Sequence, residues 1–98
     1  MEEKAKLLAE LLRILANENR LLILCALMQG AKTVGQIGEY VPKITQSALS
    51  QHLSMLRTAG ILESDKQGQN VTYSIADYRV AEVLAVLKEY YCDPEGTK

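Results

Sequence analysis

The sequence predicts a mainly α-helical fold carrying one small β-hairpin. Three observations predict it: leucine-rich segments recur at helical spacing along most of the chain, a single alternating stretch Val71-Thr72-Tyr73-Ser74-Ile75 interrupts them, and capping residues and glycines punctuate the boundaries. Composition points the same way. With no Trp or Phe and five Tyr, the core has to be assembled from Leu, Ile, Val, Ala and Met, which suits packed helices. At 98 residues the chain reads as one domain over 1–98, and a domain this small buries only roughly 60–65% of its unfolded surface. A second copy would cover more.

The elements follow in order. Residues 2–16 place Leu7, Leu8, Leu11, Leu12 and Leu15 on one side of a helix, with Lys4, Lys6, Glu10 and Arg13 elsewhere on the wheel. Asn17 is an N-cap for a second helix whose Leu21-Leu22-Ile23-Leu24-Cys25-Ala26-Leu27-Met28 is apolar around its circumference, so it is expected to be buried on all sides and to end at Gly30. Thr33-Val34-Gly35-Gln36 is a capping box opening a short helix to about Tyr40. Val41-Pro42-Lys43 then turns the chain. A fourth helix starts at Thr45 or Gln46, reaches about Ala59 and stops at Gly60. Ile61–Ser64 and Val71–Ile75 form a short hairpin around a Gly68 loop, with Val71, Tyr73 and Ile75 pointing inward. Asp77 caps a last helix that ends near Cys92, with a stripe of Val80, Val83, Leu84, Leu87 and Tyr91 beside a row of Ala81, Ala85, Lys88 and Cys92. Residues 93–98 read as a frayed tail.

Charge narrows the function. A formal charge of −1 excludes a protein that grips nucleic acid by bulk positive charge. Between 43 and 70, Lys43, Arg57 and Lys66 outnumber Glu63 and Asp65, while the rest of the chain is acidic on balance. Cys25 and Cys92 are far apart and form no CxxC, and no apolar run is long enough to span a membrane because Glu10, Arg13, Asn17 and Glu18 interrupt the N-terminal leucines, so the expected setting is the cytoplasm, with reduced thiols. An enzyme is disfavoured, because neither cysteine has an acid-base partner beside it and no cofactor loop is present.

A short helix, a tight turn, a longer helix with a small polar outer face and then a hairpin is the order of a winged helix-turn-helix, with 45–59 as the recognition helix and double-stranded DNA as its partner. On the helical wheel Leu49, Leu53 and Leu56 take one side. Ser47, Ser50, Gln51, Ser54 and Thr58 take the other, flanked by Gln46 and Arg57. Short hydroxyls let the helix backbone approach base edges, and Gln can pair with adenine. Arg57, near the helix end, is better placed for a phosphate, and Lys66 is the basic residue of the wing. An ordinary solvated face would carry Lys and Glu. This one carries neither.

Ala16-Asn17-Glu18-Asn19-Arg20-Leu21-Leu22-Ile23-Leu24, Gln46-Ser47-Ala48-Leu49-Ser50-Gln51-His52-Leu53 and Leu56-Arg57-Thr58-Ala59-Gly60-Ile61-Leu62 resemble the arsenic-repressor (ArsR/SmtB) family of dimeric repressors. The resemblance implies a homodimer through the first and last helices and DNA contacts by Gln46, Ser47, Ser50 and Gln51. His52 lies nearer the apolar edge, which leaves packing and a phosphate or base contact both open. Many members sense metals. Here the third helix has no cysteine, the last has Asp77 but no histidine, and His52 is the sole histidine, whereas a tight Zn²⁺ site wants about four ligands. No metal and no cofactor is therefore expected, with an atypical metal site as the alternative.

The cysteine pair remains. The HlyU/BigR/SqrR-like subgroup is similar in placing one cysteine on each of the same two helices, within sequences resembling Ile23-Leu24-Cys25 and Tyr90-Tyr91-Cys92. That similarity implies a thiol switch at Cys25 and Cys92, with oxidants or reactive sulfur species such as persulfides as inducer. The competing readings are a regulator with inert cysteines, Cys25 being a small core residue, and a winged helix that binds protein rather than DNA. The residues leave repressor and anti-repressor both open.

Overall fold

The computed structural model describes the backbone of residues 1–91 and the side chains of residues 1–90. The expected tail at 93–98 and the side chain of Tyr91 lie outside that range, as does Cys92. Within it the order is α1 (Glu2–Leu15), α2 (Glu18–Leu27), β1 (Lys32–Thr33), α3 (Val34–Gly38), α4 (Gln46–Thr58), β2 (Leu62–Gln67), β3 (Asn70–Ile75) and α5 (Tyr78–Tyr91). This is a winged helix-turn-helix: mainly helical, with a small three-stranded antiparallel sheet.

The caps sit where the side chains place them. Asn17 Oδ1 accepts from the Arg20 backbone N–H at 3.0 Å and opens α2. Both halves of the α3 capping box form, the Gln36 N–H donating to Thr33 Oγ1 at 3.2 Å and the Thr33 N–H to Gln36 Oε1 at 2.9 Å. Asp77 accepts from the backbone N–H of Arg79 at 3.0 Å at the start of α5. Helix α3 stops at Gly38, before the expected Tyr40, because Tyr40 lies in the following turn with its hydroxyl donating to Gln29 Oε1 at 2.9 Å.

Expectation and structure part in other places too. Helix α2 is not buried all round. It packs against α1, α3 and the sheet through Ile23, Leu24, Ala26 and Leu27, and its remaining side leaves Leu22 40% exposed. The sheet has a third strand, since Lys32 and Thr33 pair with Tyr73 and Thr72 of β3. Two residues are too short to show any alternation, and Thr33 doubles as the α3 cap. The hairpin is also longer than expected: β2 and β3 stay paired out to Gln67 and Asn70, joined only by Gly68 and Gln69, with Gly68 at φ +64°. Its outer half, Asp65-Lys66-Gln67, projects past the core, so Val71 is only half-buried while Tyr73 and Ile75 pack against the core.

One buried cluster joins the elements: Leu15 of α1, Ile23, Leu24 and Leu27 of α2, Ile37 of α3, Leu49, Leu53 and Leu56 of α4, Leu62 of β2, and Val80 and Leu84 of α5, together with Val41 and Ile61 between elements. The apolar stripe expected on α5 divides. Val80 and Leu84 enter this core, while Val83 and Leu87 remain exposed next to the exposed Val86, as do Leu7, Leu8 and Leu12 of α1. Gly60, at φ +82°, turns the chain out of α4, and its successor Ile61 then accepts the Ala76 N–H at 2.8 Å, closing the base of the hairpin.

Leu56 is fully buried, so Leu56→Ala should cost about 2–5 kcal/mol by urea unfolding at fixed protein concentration. Leu22→Ala, at a partly exposed position, should cost less than about 1 kcal/mol. Equal losses would contradict this assignment of the core.

Candidate nucleic-acid interface

Thr45 opens α4 by accepting the Ala48 N–H on its hydroxyl at 3.0 Å, which satisfies one of the free donors at the helix start. From there the amphipathic pattern decides orientation. Leu49, Leu53 and Leu56 point into the core, each burial contributing about 1.5–3 kcal/mol. With that side down, Gln46, Ser47, Ser50, Gln51, Ser54 and Thr58 are all exposed along the opposite side. The face is uncharged and dense in donors and acceptors.

Arg57 and Lys66 flank it differently. Arg57 is exposed at the end of α4, and its Nη1 donates to Ser64 Oγ of β2 at 3.3 Å, which ties the helix to the wing. Lys66 is exposed near the tip of the wing beside Asp65, whose Oδ2 accepts from Gln67 Nε2 at 3.3 Å. The structure thus places Gln46, Ser47, Ser50 and Gln51 on one helix surface, with Arg57 at the joint and Lys66 on the projecting arm.

His52 is half-buried at the edge of that surface. Its Nδ1 lies 3.5 Å from Arg20 Nη1, and the Arg20 Nε donates to the Ile14 carbonyl at 2.6 Å. Burial, and then the Arg20 charge, hold the His52 imidazolium below its ordinary pKa. Arg20 is the residue that sequence reasoning missed. It lies 32 positions from His52, and no periodicity in the sequence links the two.

Cys25 is half-buried on α2. Its expected partner Cys92 lies outside the described residues. Among the described residues, no three of His, Cys, Asp and Glu converge on a position that could hold a metal, and no helix is long and apolar enough to cross a membrane.

A helix-turn-helix with a β-hairpin wing and a bare polar second helix defines the class of protein that sets a helix into a DNA major groove. Comparison with known proteins narrows the class. Residues 17–64 match the family described as bacterial regulatory protein, arsR family. The chain is 37% identical to the transcriptional activator HlyU of Vibrio cholerae over 94% of its own length and 84% of that protein's. It is 37% identical to the biofilm growth-associated repressor of Agrobacterium fabrum, over 97% and 80% of the two chains. The structure of reduced HlyU from Vibrio cholerae superposes with a TM-score of 0.88 at 36% identity, covering 95% of this chain and 97% of that one. The chain belongs to the arsR family of bacterial regulatory proteins, a family of DNA-binding regulators rather than enzymes.

Proposed function

We propose that the chain is a single-domain, sequence-specific regulator of transcription that binds double-stranded DNA as a homodimer in the cytoplasm and acts as a repressor. The observation that carries this reading is the uncharged face of α4, held outward by its leucine row. Gln46, Ser47, Ser50 and Gln51 read or line the major groove, with His52 at the edge of that surface. Arg57 and Lys66 meet phosphates. The exposed leucines of α1 and the exposed Val83, Val86 and Leu87 of α5 supply a two-part apolar surface for the partner copy. With so few cations near the groove, affinity should fall only gently with salt.

The similar proteins are named as an activator in one case and a repressor in another, so the fold serves both signs of control. Repression follows if the operator overlaps a promoter, and anti-repression if it overlaps a silencer.

We further infer that Cys25 and Cys92 release the DNA. One thiolate takes a sulfur atom from a small persulfide, whose thiol leaves. The second thiolate attacks the new S–S bond, closing a disulfide and expelling hydrogen sulfide. Further sulfur transfer would give a longer bridge, and an oxidant would reach the disulfide through a sulfenic acid. Cys25 sits on the helix that backs the recognition motif, and position 92 follows α5 directly. A link between them would change the relation of α5 to α2, and with it the spacing of two reading heads. Support comes from the similarity to HlyU, which has been solved in a form described as reduced.

On a duplex selected by the protein from a random pool, Ser50→Ala and Gln51→Ala should each lose about 1–3 kcal/mol of discrimination against altered bases. Arg57→Ala should weaken selected and unrelated duplexes alike. Uniform weakening by all three would contradict base reading by α4.

Cys25→Ser and Cys92→Ser should each leave binding by the reduced protein near wild type, yet each should abolish DNA release on persulfide treatment. Release by either single variant would refute the two-cysteine switch, and the cysteines would then be inert.

A further inference from the structure

Arg20 occupies a crossing of three helices. Its own N–H is held by Asn17 at the start of α2, its Nε by the Ile14 carbonyl near the end of α1, and one guanidinium nitrogen faces His52 of α4. The first two contacts fix where the guanidinium points, so its approach to His52 is set by backbone rather than by a freely swinging side chain.

The chemistry of that approach has one solution. A guanidinium has donors and no acceptor, and it stays charged at every relevant pH. At 3.5 Å the imidazole nitrogen facing it is best satisfied as an acceptor, which favours the neutral ring with no proton on Nδ1. The single proton of a neutral ring then sits on Nε2, which is directed away from Arg20. Protonating Nδ1 would set two donors and two positive charges against each other.

Among the described residues no ion pair offsets this. Helix α4 contains no acidic residue. Glu10 and Arg13 of α1 line the cleft beside Arg20 and Met55, but among the described residues neither forms an ion pair with Arg20 or His52. Of the charged groups, it is Arg20 whose field lowers the His52 pKa, adding to the effect of burial.

We propose that Arg20 is a positioning residue for DNA recognition, fixing His52 as the neutral tautomer protonated on Nε2 so that the edge of the recognition helix offers an N–H donor to a DNA phosphate. The proposal rests on α4 being the DNA-reading helix. It adds a constraint that the reading face does not itself require: the donor keeps one protonation state, and its orientation is referred back to the end of α1 through Ile14.

His52 is the only histidine, so its imidazole can be followed alone by ¹⁵N NMR in the full chain. Wild type free of DNA should show the Nε2–H tautomer and should charge only below the ordinary imidazole range. In Arg20→Gln the tautomer preference should weaken and the charging point should rise. Arg20→Lys keeps the charge but cannot hold Ile14 and His52 together, so it should also lose the tautomer preference. On the selected duplex, wild-type affinity should gain less from the charging of His52 as the pH falls than that of Arg20→Gln, which should bind several-fold tighter at the acid end as imidazolium forms near phosphates. An Nδ1–H tautomer or a charged ring at neutral pH in wild type would overturn the proposal, whatever the variants do. So would parallel pH profiles for wild type and Arg20→Gln. Failure of wild type to select any duplex would instead overturn DNA reading by α4, while the NMR result would still report on the Arg20–His52 pair.

Discussion

The seating of α4 on Leu49, Leu53 and Leu56 is the interaction on which the rest of the molecule depends. These residues recur at helical spacing, so burying them sets the rotation of the helix, and that rotation decides which side chains face outward. A core built around one side of α4 must leave the other side bare. The surrounding elements serve the same end: α2 and α3 pack beneath the helix, the Thr45 cap defines its start, and Gly60 turns the chain into the wing. Arg57 then fastens the far end of α4 to β2. The polar face of α4 is thus held outward by the core beneath it.

Charge explains the style of recognition. A protein with no excess of positive charge has few cations to spend on the phosphate backbone. Under the proposed function the polar face of α4 adds to them, and its groups lose their hydrogen bonds to water unless the partner replaces them. An uncharged face of Ser and Gln is therefore more selective than a basic one of equal area, because a wrong base leaves donors unpaired. The exposed leucines of α1 and the exposed face of α5 answer a different need. An apolar surface of that kind leaves hydrocarbon facing water, and a second copy would cover it by presenting the same surface in return.

Much of this was legible in the sequence because it is local or periodic. The α3 capping box, the Asn17 cap, the leucine row of α4 and the stop at Gly60 are decided within a few residues, and the structure has each of them. What escaped was set by distant partners. Strand β1 exists because Lys32 and Thr33 happen to lie beside β3, and two residues carry no pattern of their own. Leu22 looked like core because a uniformly apolar helix does not reveal how many of its sides have neighbours. The Arg20–His52 pair joins α2 to α4 across the fold, and only packing brings it together. Within the candidate site, the polar face was readable from the helical wheel, whereas the anchoring of Arg57 on Ser64 depends on how the wing folds back.

The central claim is that two copies of α4 read DNA together, one in each of two successive major grooves. Hydroxyl-radical footprinting on a duplex selected from a random pool measures this directly. The account predicts two protected patches related by a dyad, with half-site centres one helical turn apart, on the order of 10 base pairs. A single patch, or protection without dyad symmetry, would contradict it.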